Sequence, residues 1–147
     1  MAMQKATIGT VLVIAVMGLM VSALGTLVAT RTISNSGSVT AVGVGVYSDI
    51  GCTTALSTIS WGPLNPSDVK AYTMYVKNTG TVSVTLTMTT GNWNPSSASS
   101  YITLTWNQEK YVLPAGQVVQ AVLTLSVSSS VSGVTTFSFD ITITGTQ

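Results

Sequence analysis

The chain has 147 residues, of which 46% are apolar and only 6% charged, and its formal net charge is +1. That balance excludes a broad electrostatic footprint for nucleic acid. It has no histidine and one cysteine, Cys52, which removes the commonest general base, the commonest zinc ligand and any disulfide within the chain.

The first segment, residues 1–6, carries Lys5, the charge that precedes a long apolar run. From Ala6 to Thr30 no residue is charged. As a helix this run rises about 1.5 Å per residue and spans roughly 37 Å, more than a hydrocarbon layer of about 30 Å. Its apolar residues point all round the axis, so a helix over 7–33 is expected to be buried on every side, in lipid or among copies of itself. Ile8, Val11, Leu12, Ile14, Val16, Leu19 and Leu24 are the residues expected to pack there. Three readings stay open for it: a cleaved secretory signal, a permanent membrane anchor, and a helix that waits in the membrane and then packs into a filament core. The run is long for a signal, whose apolar region is about 7–15 residues.

Ser34-Asn35-Ser36-Gly37 reads as a short flexible linker, and 38–147 as one β-sandwich domain. Beyond Thr32, Ser and Thr become frequent and a two-residue period takes over. It runs through Val42–Val46, Tyr72–Lys77, Val82–Met88, Ile102–Trp106, Val119–Val127 and Phe137–Thr144. Such alternation places apolar side chains on one face and hydroxyls on the other. A run near Ala55–Trp61 adds a seventh strand. Asn78-Thr79-Gly80 reads as a tight hairpin turn, and Pro63, Pro66, Pro95 and Pro114 fall between the runs, where a missing N–H is harmless. The expected fold is mainly β: one long N-terminal hydrophobic helix followed by a single antiparallel β-sandwich, immunoglobulin-like or jelly-roll. Leu86, Leu104, Leu123, Leu125, Phe137 and Phe139 are its expected core.

Nothing in the residues assembles a catalytic site. The serines have no histidine to activate them. The four acidic residues, Asp49, Asp68, Glu109 and Asp140, share no short motif, which argues against a carboxylate pair or a calcium site. No catalytic residue, cofactor or metal ligand is expected, and no enzyme activity. Cys52, after Gly51 in a loop between strands, reads as a small buried residue. Trp93, in Gly91-Asn92-Trp93-Asn94-Pro95, reads as a loop side chain and is the best single candidate for a partner contact.

Two resemblances follow from particular residues. Lys5-Ala6 followed by TIGTVLVIAVMG resembles the class III leader of archaeal type IV pilins and archaellins. It implies that residues 1–6 are a leader cut after Lys5-Ala6, that the mature protein starts near Thr7, and that its helix joins a filament core. The segments SGSVTAVGVGVYSD, CTTALSTISWGPLNPSD, VKNTGTVSVTL, NWNPSSASSYITLTW and TTFSFDITITGT resemble archaeal surface proteins with a single β-sandwich, similar in outline to the TasA-like proteins of biofilm fibres. That resemblance implies assembly by donor-strand exchange, with Ser36–Tyr47 as the donor.

The expected function is a structural subunit of an extracellular, pilus-like filament at the cell surface, built by helix packing with the sandwiches outside, for adhesion or biofilm. The alternatives are a secreted fibre subunit joined by strand donation and a membrane-anchored surface domain that binds a partner. The expected partners are other copies of the chain, the membrane before assembly, and surface glycans as candidates; nucleic acid is not expected.

Overall fold

The computed structural model describes residues 34–147. They form nine strands: β1 (Ser34–Val42), β2 (Gly45–Tyr47), β3 (Thr58–Ser60), β4 (Val69–Lys77), β5 (Val84–Asn94), β6 (Ile102–Trp106), β7 (Val112–Leu113), β8 (Val118–Val127) and β9 (Thr136–Thr146). One sheet has the order β3-β1-β9-β5-β7 and the other β2-β4-β8-β6. The two-residue period explains the sandwich. In β9 the alternation buries Phe137, Phe139, Ile141 and Ile143, and in β8 it buries Ala121, Leu123, Leu125 and Val127. Met74 and Val76 of β4, Val84 and Leu86 of β5 and Ile59 of β3 fill the same core.

Four expectations are corrected. The first is the fold class. The described residues contain no α-helix; their helical element is a 3-10 turn, Ser96–Ser100. No helix among them is long and apolar enough to cross a membrane. The architecture described is therefore mainly β without the long hydrophobic helix, and the segment 7–33 assigned to that helix lies outside the described residues. The second is the linker: residues 34–37 are not a joint but the first half of β1.

The third correction concerns strand direction. β1 runs parallel to β9 over its whole length, from Ser34↔Thr136 to Val42↔Thr144, so the sandwich is not purely antiparallel. Alternation encodes which face a side chain takes, not the direction of the neighbouring strand. The fourth concerns two connections. The run Val42–Val46 is broken at Gly43, and the chain leaves one sheet for the other there. Gly43 has φ +73°, and a Cβ on it would lie 2.6 Å from the Gly145 carbonyl oxygen, so only glycine permits this crossing. Asn78-Thr79-Gly80 is likewise not a hairpin turn, because β4 and β5 belong to different sheets.

The Asn78 side chain is wholly buried. Its amide nitrogen donates to the carbonyls of Val82 (2.7 Å) and Leu113 (3.0 Å), and its oxygen accepts from the Gly80 N–H (2.9 Å). Its own backbone pairs with Gln117 and Gly116. One asparagine thus fastens two inter-sheet connections that the core alone would leave loose.

Candidate functional site

The cleavage residues Lys5, Ala6 and Thr7 and the packing residues Ile8, Val11, Leu12, Ile14, Val16, Leu19 and Leu24 lie outside the described residues. Trp93 is described, and its expectation as a free loop side chain is corrected. It belongs to β5, which extends through Asn94. Its ring stacks on Phe139 with centroids 4.2 Å apart and planes 7° from parallel, with Phe137 6.2 Å away. Trp93 is therefore a half-buried part of the aromatic core, and one face of its ring is already taken.

The acidic residues do not converge on a common site; among the described residues no group of three potential metal ligands comes together. Each carboxylate serves its own neighbourhood. Asp49 accepts from the Thr53 hydroxyl (2.7 Å) and from the N–H groups of Thr53 and Thr54. The Thr53 hydroxyl first, then those N–H groups, hold its carboxyl below the ordinary aspartate range. Glu109 accepts from the Trp106 indole (2.6 Å) and from the Met88 N–H (3.2 Å). It thereby seals part of the outer edge of β5 beyond the two-residue strand β7. An edge N–H met by a carboxylate is no longer free to recruit a foreign strand.

The element with the most unusual balance is β1. Nine register pairs tie it to β9, and three tie it to β3, Ser36↔Ser60 to Ser38↔Thr58. The Val39 N–H adds a bond to the Ser57 carbonyl at 2.7 Å. Yet Val39 is the only apolar side chain that β1 contributes to the buried core. Gly37 faces Ile141 and Phe139, and a Cβ there would lie 3.1 Å from Ile141 Cδ1. Asn35 clips β1 to the chain after β3, accepting from the Trp61 N–H (3.0 Å) and donating to the Gly62 carbonyl (2.9 Å). Trp61 itself is buried, edge-on to Tyr72, and its indole N–H has no acceptor among the described residues.

Burying Val39 is worth about 1.5–3 kcal/mol. The backbone pairs contribute about 1 kcal/mol net each, several times that in sum. β1 is thus held chiefly by main-chain bonds and by the lack of a side chain at Gly37. Its partner β9 carries four large buried side chains and sits at the middle of its sheet. The donor segment Ser36–Tyr47 of the sequence analysis is not one strand here: Ser36–Val42 lies against β9, while Gly45–Tyr47 lies against β4.

Beside the start of β1 a groove of about 410 Å³ opens to solvent, walled by β1, β9 and the end of β5. Sequence reasoning found β1 only through the resemblance that makes Ser36–Tyr47 a donor, with its start read as a linker, and it missed the groove. The Ser-Asn-Ser-Gly run that opens β1 carries every sign of a linker, and the hydroxyls of the groove are not distinguishable from those of any solvated strand. No protein-family model and no curated protein matches the chain.

Proposed function

We propose that the chain is a structural subunit of a cell-surface filament, a homopolymer in which β1 of one copy completes the sheet of the next along β9. The single observation that carries this is the imbalance at β1: a full-length parallel pairing with β9 in which Val39 is the one buried apolar side chain. A strand held by its backbone makes the same bonds in its own chain or in another's, so exchange costs little in contacts and is driven by concentration. Withdrawal of β1 would expose an eleven-residue β9, and an unpaired edge of that length recruits a strand. Gly43 is the point at which β1 can part from the remainder of the fold. The low charge of the chain fits close repetition of identical copies, since like charges are few.

Thr40 and Thr142 are register partners across β1 and β9. Full-length chains carrying Thr40→Cys and, separately, Thr142→Cys, both with Cys52→Ser, are mixed, allowed to assemble and oxidised. Disulfide-linked pairs that appear only in the mixture, together with filaments by electron microscopy, are the expected outcome. Monomers that cross-link only when both cysteines occupy one chain would overturn the proposal and leave a monomeric surface domain.

A further inference from the structure

We infer that the groove at the start of β1 is a binding site for a neutral saccharide. β1 supplies Asn35 and Ser36, β9 supplies Thr136 and Ser138, and β5 supplies Asn94 at its end. Ser36 and Asn94 are both register partners of Ser138, on opposite sides of it. With strands about 4.8 Å apart, their three polar groups form a line about 10 Å long, enough to span more than one sugar ring.

The chemistry of the lining selects the ligand class. No lining residue is charged, so the groove offers no cation to a phosphate, sulfate or carboxylate and no carboxylate set to a metal. It offers hydroxyls and amides, each of which can both donate and accept. That is the complement of a polyol, whose hydroxyls also do both. Asn35 is engaged by Trp61 and Gly62 and stands as a fixed wall. The side chains of Ser36, Asn94, Thr136 and Ser138 have no partner among the described residues and are available to a ligand.

Pro95 gives the groove a small apolar patch, suited to the C–H face of a sugar ring. The next outward-facing residue of β9 after Ser138 is Asp140, about 7 Å along the strand. Asn92 donates to one of its carboxylate oxygens at 2.7 Å, which fixes the group beside the groove, beyond its lining. This carboxylate can accept from a sugar hydroxyl and repels an acidic sugar. The groove is shallow, so affinity at one site is expected in the millimolar range.

The site does not depend on the assembly proposed above, and its test can fail while filaments still form. Full-length, ¹⁵N-labelled chain is titrated with maltotetraose, mannotetraose, chitotetraose and, as the acidic control, tetragalacturonate. At least one neutral tetrasaccharide is expected to shift the amides of residues 35–36, 94 and 136–138, with tetragalacturonate about tenfold weaker or worse. Asn94→Ala/Ser138→Ala should lose about tenfold in affinity, while Thr105→Ala on the other sheet leaves it unchanged. Both altered residues keep their side chains at the surface of the groove, and Ser36→Ala serves as a second variant if the pair unfolds. Absence of binding by all three neutral probes, shifts confined to other strands, preference for the acidic probe, or binding untouched by the groove variants would each overturn the inference. Capture of the groove by a proline-rich peptide in place of sugar would do the same.

Discussion

At the scale of single residues, the fold relies on a few polar side chains where hydrophobic burial gives no direction. The wholly buried Asn78 side chain satisfies two carbonyls and one N–H, the Leu113 carbonyl in a buried bond and the other two in part-buried ones. Asn78→Ala leaves the buried Leu113 carbonyl without a partner, at about 1–3 kcal/mol, and removes the part-buried bonds to Val82 and Gly80, worth about 1 kcal/mol net each. The expected loss is about 3 kcal/mol in all, read as a lower urea midpoint with unchanged slope. Asp49 gives a pH signature. Its carboxyl titrates below the ordinary aspartate range because the Thr53 hydroxyl and the Thr53 and Thr54 N–H groups bind the charged form. The folded value is the lower one, so its contribution to stability is complete above the unfolded value of about 3.9 and is lost as the pH falls through the folded value. Amide exchange at Thr53 and Thr54, corrected for the intrinsic pH dependence, should show constant protection from pH 7 to about pH 5 and a loss only in stronger acid. Asp49→Asn should abolish that acid step.

At the scale of elements, strand edges decide behaviour. β3, β7 and β2 are edge strands of two or three residues, too short to offer a long template for addition. β1 differs: it lies between β3 and β9, is long and sparsely packed, and its neighbour β9 is an interior strand of eleven residues. Gly37→Val tests its packing. Ile141 Cδ1 already lies 3.1 Å from the position a Cβ would take, and Phe139 Cζ lies 3.7 Å from it. Overpacking of this kind costs about 1–3 kcal/mol. The expected outcome is faster amide exchange across β1 and fewer filaments, with β4 and β8 unaffected. Most strands were legible because alternation is a local property: β6 spans Ile102–Trp106 as the period predicts, β8 begins one residue before its predicted run, and β9 extends its run by one residue at the start and two at the end. The far half of β5 was not legible, because Thr-Thr-Gly-Asn-Trp-Asn has the composition of a loop. It is held as a strand by β9 and by the stacking of Trp93 on Phe139.

At the scale of the whole molecule, the sequence alone determined that the strands after the N-terminal run bury alternating faces and that Leu86, Leu123, Leu125, Phe137 and Phe139 meet in one core, though it began the domain at 38 where β1 begins at Ser34. It did so because face alternation and apolar content are carried by each residue and its near neighbours. It did not determine the fold class in full, and the long hydrophobic helix expected over 7–33 is no part of the described architecture. Leu104 and Trp106, though on the predicted strand, are only partly buried at the margin of the core, because β6 is an edge strand. The tertiary structure decided which strands are neighbours, that β1 lies parallel to β9, that Asn78 ties two crossings, and that Ser36, Ser138 and Asn94 line one groove. Those facts join residues far apart in the chain. Many pairings satisfy the same alternation, and the choice among them rests on side-chain fit, such as the space left at Gly37 and Gly43, which exists only once the sheets have come together.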